Sequence, residues 1–232
     1  MKVHAILLAA GLSSRFKDDQ SKIFFNYRGK PLLDYPLRTF VESRLFNSIT
    51  LVANKKDMTA LFKYVQHNER LSSIKIIEGG KTRHQSEENA LNFLRGQDID
   101  EEDLISIHDT ARPFIKGDKL KELIDCAKKH SSSAPAVKSR LIIDSNTASL
   151  VSDQVSYYRM QTPQTFRAGE LFYSYEKANI DSWNGVDTVE CISKYTDIKV
   201  RIIKSSDLNM KITYIEDLEA IKKIIEENDI KV

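Results

Sequence analysis

Three short stretches of this 232-residue chain gather residue types that bind and neutralise phosphate. In the first, an apolar run ends at Ala9-Ala10-Gly11 and continues through Ser13, Ser14 and Arg15 to Lys22. Methyl groups and a missing side chain leave backbone N–H groups uncovered, and Gly11 is free to take the left-handed backbone conformation. Arg15 and Lys22 add fixed positive charge where a polyphosphate would lie. A dinucleotide site would carry Gly-x-Gly-x-x-Gly here, and a P-loop would close on Gly-Lys-Ser/Thr; the stretch has neither. It reads as a phosphate cradle of another kind.

The second stretch, Gly79-Gly80-Lys81-Thr82-Arg83-His84-Gln85-Ser86, has the Thr82-x-x-Gln85 spacing of a capping box. A helix starting there points its free N–H groups and the positive end of its dipole into the loop. Arg83 and Ser86, three apart, share one face of that helix. The third stretch is His108-Asp109-Thr110-Ala111-Arg112-Pro113. A carboxylate at the end of an apolar strand suits Asp109 to hold Mg²⁺ against phosphate oxygens, and Arg112 suits a second anion. His108 reads as a packed, hydrogen-bonded residue rather than a chemical one. Each of the first two loops alone is also what a capped helix or a glycine turn with solvated cations looks like; His108-Asp109 at the end of an apolar strand is harder to dismiss, and Lys211 in isolation carries little information.

The elements that must position these loops alternate. Apolar periodicity predicts strands over 3–8, 49–53, 74–77 and 104–108, and helices over 32–41, 57–65, 82–94 and 118–129, with Asp57 available as a cap. Continuous apolar strands separated by helices imply an α/β fold, Rossmann-like, with a mostly parallel twisted sheet flanked by helices. In such sheets ligands bind beyond the carboxyl ends of the strands, where all three stretches lie. After a further strand expected over 134–137, polar interruptions and β-favouring pieces at 141–143 and 155–158 predict an extended hairpin-like excursion, a protruding β-arm at about 139–160 suited to dimer contact. Helix 168–178, strand 200–203 and a last helix opening at Thr213-Tyr214-Ile215-Glu216 complete a single domain over 1–232.

Composition bounds the partners. A 41% hydrophobic and 29% charged chain is an ordinary globular one, and a net charge of +2 excludes an argument for nucleic acid or an anionic membrane. Cys126 and Cys191 are far apart, without metal-ligand spacing. The short first apolar segment lacks the features of a secretory signal, and no run reaches the ~20 apolar residues of a membrane span, so the expected location is cytoplasmic.

The segments "LLAAGLSSRFKDDQSK", "EGGKTRHQS", "HDTARPF", "QTPQTFR" and "NMKIT" resemble, in order, the signatures of the 2-C-methyl-D-erythritol 4-phosphate cytidylyltransferases and the related ribitol-5-phosphate cytidylyltransferases. The resemblance implies a homodimer that uses CTP and Mg²⁺. It makes Ala9, Ala10 and Gly11 backbone contacts to the nucleotide, and Gly80 and Ser86 the cytosine-reading pair, supported by Arg83. Arg15, Lys22 and Lys211 become the catalytic cations. Asp109 sits near metal and acceptor, Arg112 contacts the acceptor, and Thr162 begins a segment lining the acceptor side. The implied reaction is in-line attack of an acceptor phosphate oxygen on the α-phosphorus of CTP, with release of pyrophosphate.

The nucleotide half matches more fully than the acceptor half. Lys138-Ser139 stands where the family has Asp-Thr, Gln154 where it has arginine, Val186-Asp187 where it has Thr-Asp, and Lys81 departs within the glycine loop. Arg159 and Thr188 are the replacements this chain offers. Because sites built to hydrogen-bond hydroxyls discriminate strongly, these changes leave ribitol 5-phosphate or a similar polyol phosphate open as the acceptor, besides 2-C-methyl-D-erythritol 4-phosphate. A catalytically silent CTP-binding relative is the reading of another class.

Overall fold

The first strand is buried along its whole length, and its side chains alternate between two cores, as a period of two requires. Ala5, Leu7 and Ala9 enter one core and Ile6, Leu8 and Ala10 the other. The computed structural model describes residues 1–11, 21–139 and 157–227. In chain order its elements are β1 (Val3–Ala9), a two-strand ribbon of β2 (Asn26–Tyr27) and β3 (Lys30–Pro31), α1 (Asp34–Ser43), β4 (Ser48–Ala53), α2 (Met58–Gln66), β5 (Lys75–Glu78), α3 (Arg83–Arg95) and β6 (Leu104–Asp109). There follow α4 (Gly117–His130), β7 (Ser132–Lys138), β8 (Tyr158–Met160), β9 (Gln164–Arg167), α5 (Ala168–Ile180), α6 (Thr188–Tyr195), β10 (Ile202–Lys204) and α7 (Ile215–Glu227).

The main sheet runs β10-β7-β9-β6-β1-β4-β5, with β8 paired to β7. β5, β4, β1 and β6 are parallel, whereas β9 runs against both β6 and β7. Chain order reverses at β1: β4 and β5 lie on one side and β6 on the other, the kind of switch point that opens a crevice beyond the strand ends. Register sets Leu8 beside both Val52 and Asp109, so the carboxyl ends of β1 and β6 meet.

Helices α1, α2 and α4 cover one face through Leu37, Phe40, Leu61, Val65 and Leu120. Helices α3, α5 and α6 cover the other through Leu91, Leu94, Leu171, Tyr175 and Ile192. The α/β reading of the sequence thus holds.

Some local expectations are corrected. Strand β9 was not anticipated because Gln164 and Thr165 are polar, yet both are fully buried. Thr165 Oγ1 donates to Ser106 Oγ at 2.9 Å and Gln164 Nε2 to Asp187 Oδ2 at 2.9 Å, which satisfies them inside the sheet. Helix α6 also went unread; Asp187 caps it by accepting from Val189 N at 2.9 Å. Asp57 makes no capping bond to α2, and Asn54 instead accepts from Lys56 N at 3.1 Å. At α7 the carboxylate that closes the first turn belongs to Asp217, accepting from Thr213 N and Tyr214 N at 2.7 and 2.8 Å, not to Glu216. Most of the arm, like Arg15, Ser13, Ser14 and Gln154, lies outside the described residues.

Candidate active site

Beyond the carboxyl ends of β1, β5 and β6 lies a cleft of about 480 Å³. Leu8 to Gly11 form one side, Gly80 to Arg83 with Ser86 a second, Asp109 to Ala111 a third, and Lys22, Lys211 and Thr213 complete the lining. Four cationic side chains, Lys22, Lys81, Arg83 and Lys211, face it with Asp109 as their carboxylate among the described residues. That charge balance suits a polyanion. Gly11 has no atom within 4 Å of where a Cβ would stand and does not adopt positive φ, so it contributes open space rather than an unusual backbone.

The glycine loop is built by its own helix. Thr82 Oγ1 accepts from Gln85 N at 3.1 Å and caps α3, while Gln85 Oε1 reaches back to Lys81 N at 3.0 Å rather than to the cap residue itself. Ser86 Oγ accepts from Gly80 N at 3.1 Å and donates to Thr82 O at 2.9 Å, pinning the loop. A Cβ on Gly80 would stand 2.3 Å from Gln85 Cβ and 3.0 Å from its carbonyl carbon, so here glycine serves close approach. Gly80→Ala is therefore expected to destabilise the fold by about 1–3 kcal/mol through overpacking. A lowered thermal midpoint together with a raised KM for CTP would show it; an unchanged pair would mean that the loop relaxes freely.

Asp109, 6% exposed at the wall of the cleft, is held by two cations. Its Oδ2 accepts from Lys211 Nζ at 2.8 Å and its Oδ1 from Arg83 Nε at 3.4 Å. Burial alone would raise its pKa, but Arg83 and Lys211 outweigh that and hold it well below the usual carboxylate range. Burial also works against the charge on Arg83, and Glu87, Asp109 and Asp187 together hold its pKa above the ordinary value. Lys22 Nζ donates to Ile212 O at 3.3 Å, which ties Lys22 to the Lys211 segment across 190 residues of sequence.

A buried chain of hydrogen bonds fixes Asp109 from behind. Its N–H donates to Thr162 Oγ1 at 3.0 Å, Thr162 pairs with His108 Nδ1 at 3.0 Å, and His108 Nε2 pairs with Arg112 O at 3.1 Å. The run of donors assigns the Nε2–H tautomer to the imidazole. Burial pushes the His108 pKa down to about 4, so the ring is neutral at pH 7. The packed role read for His108 holds.

Of the residues singled out from the sequence, Ala9, Ala10, Gly11, Lys22, Gly80, Arg83, Ser86, Asp109 and Lys211 line the cleft together. Four residues expected on the acceptor side, Thr162, Thr188, Arg112 and Arg159, stand outside this lining and make other contacts. Thr162 is buried and spends its hydroxyl on Asp109 and His108. Thr188 is buried and donates to Glu87 Oε1 at 2.8 Å. Arg112 donates through Nη1 to Asn209 O at 2.8 Å, and Arg159 lies exposed in an ion pair with Asp207. Lys81 and Thr213 line the cleft without having been picked out for it; a lysine inside a glycine loop was the available signal for the first.

Asp109 is also the residue that the sequence offers to a metal. Both of its oxygens are engaged by cations, and no group of three or more His, Cys, Asp or Glu side chains is gathered for a metal among the described residues.

Known proteins resemble the chain along its length. The family model described as 2-C-methyl-D-erythritol 4-phosphate cytidylyltransferase matches residues 3–227. A protein of that name from Thermosipho africanus is 33% identical over 218 residues, covering 92% of this chain and 93% of the relative. Another, from Fusobacterium nucleatum, is 33% identical over 230 residues, covering 95% and 96%. The crystal structure of the 4-diphosphocytidyl-2C-methyl-D-erythritol synthase of Anaerococcus prevotii shares the fold with a TM-score of 0.80 at 24% identity, over 97% of this chain and 98% of that one. A cationic cleft at the switch point of the sheet, signature loops on its walls and a family match over almost the whole chain lead to one conclusion: the chain belongs to the 2-C-methyl-D-erythritol 4-phosphate cytidylyltransferase family.

Proposed function

We propose that this enzyme transfers CMP from CTP to 2-C-methyl-D-erythritol 4-phosphate, forming the CDP-linked polyol and releasing pyrophosphate. The observation that carries the reading is the convergence of Lys22, Lys211 and Arg83 on a cleft that Ala9, Ala10 and Gly11 also line. In this reading Ala9, Ala10 and Gly11 let the nucleotide lie against the chain, and Ser86 keeps the Gly80 loop in place for the base. An acceptor phosphate oxygen attacks the α-phosphorus, the bond to the bridging oxygen breaks, and pyrophosphate departs with that electron pair. Lys22 and Lys211 offset the charge that accumulates in the transition state, and Asp109 holds Lys211 and Arg83 in place for it. Mg²⁺ enters with the triphosphate as part of the substrate, held by phosphate oxygens.

Arg112 keeps a role near the acceptor: its Nε is buried without a hydrogen-bond partner. Such a donor is costly to leave unmade, which supports its use by an acceptor oxygen. The test is pyrophosphate release with CTP and Mg²⁺ over a panel of acceptors. Release that depends on 2-C-methyl-D-erythritol 4-phosphate is expected; preference for ribitol 5-phosphate would reassign the acceptor, and silence with every acceptor would leave only nucleotide binding.

The arm belongs to the same proposal. Ser139 N donates to Tyr157 O at 2.8 Å and β8 pairs antiparallel with β7, so the two ends of the intervening segment are joined at its base. That supports a hairpin-like excursion, and we assign it to a homodimer contact, to be checked by the mass of the enzyme in solution. No described helix is long and apolar enough to cross a membrane; the proposed location is the cytoplasm.

A further inference from the structure

Behind the cleft, three helices on one face of the sheet meet at a single carboxylate that the reaction as described does not use. Glu87, on the second turn of α3, is 1% exposed. Its Oε1 receives Arg83 Nη1 at 2.6 Å and Thr188 Oγ1, from the start of α6, at 2.8 Å. Its Oε2 receives the hydroxyl of Tyr175 from α5. Tyr175 is itself fixed, its ring stacked on His84 with centroids 4.6 Å apart and planes 13° from parallel. On its other side Arg83 reaches Asp109 through Nε at 3.4 Å. One guanidinium thus spans two carboxylates, one inside the cleft and one behind it.

We propose that Glu87 is a positioning residue of cytidylyl transfer: its carboxylate clamps the Arg83 guanidinium against Asp109 and anchors the start of α6 to the same point. Packing alone gives no reason for an acid here, since apolar residues of similar volume commonly serve stability as well as a buried ion pair does. An unclamped arginine keeps rotamer freedom that must be lost at each turnover, whereas one held at both ends is ordered in advance. Arg83 Nη2 is buried and has no hydrogen-bond partner, so the clamp on Nη1 and Nε also fixes where that remaining donor stands.

The inference rests on the transfer reading of the cleft, and its test separates the two. Steady-state kinetics of pyrophosphate release are compared for the wild type, Glu87→Gln, Arg83→Lys and the double variant. Glu87→Gln keeps the size of the side chain and loses the charge, so kcat is expected to fall about tenfold while KM for CTP stays within about twofold. Because Glu87 acts through Arg83, the double variant is expected to lie within about threefold of Arg83→Lys alone, not at the product of the two losses. A merely structural Glu87 would lower the thermal midpoint and leave kcat untouched. Wild-type kcat in Glu87→Gln, or losses that multiply, would overturn the proposal. Should Glu87→Gln fail to fold, Tyr175→Phe removes only the hydroxyl given to Oε2. It is expected to lower kcat about threefold without multiplying with Arg83→Lys, and wild-type kcat in that variant is the contrary result. Absence of pyrophosphate release from the wild type itself would count against the transfer reading instead.

Discussion

Lys22→Ala is expected to lower kcat by about 100-fold or more, the loss of ~3–4 kcal/mol that follows deletion of one preorganised electrostatic contact. The ammonium group donates to Ile212 O, next to Lys211 in the chain, at 3.3 Å, so it is ordered before any substrate arrives. Preorganisation is what makes such a charge effective, because nothing has to reorient when negative charge builds up in the transition state. The fold, in contrast, hardly depends on it. The short turn Lys22–Phe24 is anchored by Ile23, 4% exposed, and by Phe25 N donating to the carbonyl of residue 22 at 3.1 Å. Substitution of a half-exposed lysine there is expected to change stability by no more than about 0.5 kcal/mol. Single-turnover pyrophosphate release paired with a thermal melt checks both halves. Near-normal turnover would remove Lys22 from the chemistry; a collapse of the melt would make the kinetic loss trivial.

What the sequence disclosed follows from which forces write themselves locally. β1 and β6 are buried on both faces, so their apolar runs were unmistakable, and the small or charged residues directly after them marked the cleft. Thr82 announced the start of α3 because a cap hydrogen bond joins residues three apart in sequence. The contacts of the acceptor-side threonines were illegible for the opposite reason. Thr162 and Thr188 resemble exposed hydroxyls in the sequence, but their partners, Asp109 with His108 and Glu87, lie 53 and 101 residues away for the bonds to Asp109 and Glu87. Strand β9 was hidden likewise: Gln164 and Thr165 are buried by virtue of partners on other strands and helices, which no hydrophobic pattern records. Even Glu87 left a trace, four residues after Arg83 on one helix face, a spacing that most often marks a solvated surface pair.

The second large effect is expected at Asp109→Asn. The amide keeps the shape of the carboxylate and removes the charge that Lys211, at 2.8 Å, and Arg83, at 3.4 Å, share. Breaking a buried ion pair by neutralising one member commonly costs about 3–5 kcal/mol; because the Lys211 side chain is 41% exposed and Arg83 keeps Glu87 as a partner, a loss of about 1–3 kcal/mol is expected here. Stability at pH 7 should fall accordingly. Turnover should fall by about 100-fold or more, since Lys211 and Arg83 lose the group that orients them both. The pH dependence gives the electrostatic origin a signature of its own. The folded-state pKa of Asp109 is depressed below the ordinary 3.8 by Arg83 and Lys211 against the opposing effect of burial. Its contribution is therefore fully present above the unfolded value and disappears as pH falls toward the folded one. The stability gap between the wild type and Asp109→Asn should accordingly be constant from pH 8 down to about pH 5 and close progressively below about pH 4, with denaturant melts at each pH as the measurement. A gap that persists unchanged into acid would mean that the carboxylate contributes by shape and hydrogen bonding. The charge pairing drawn between Asp109, Lys211 and Arg83 would then be wrong.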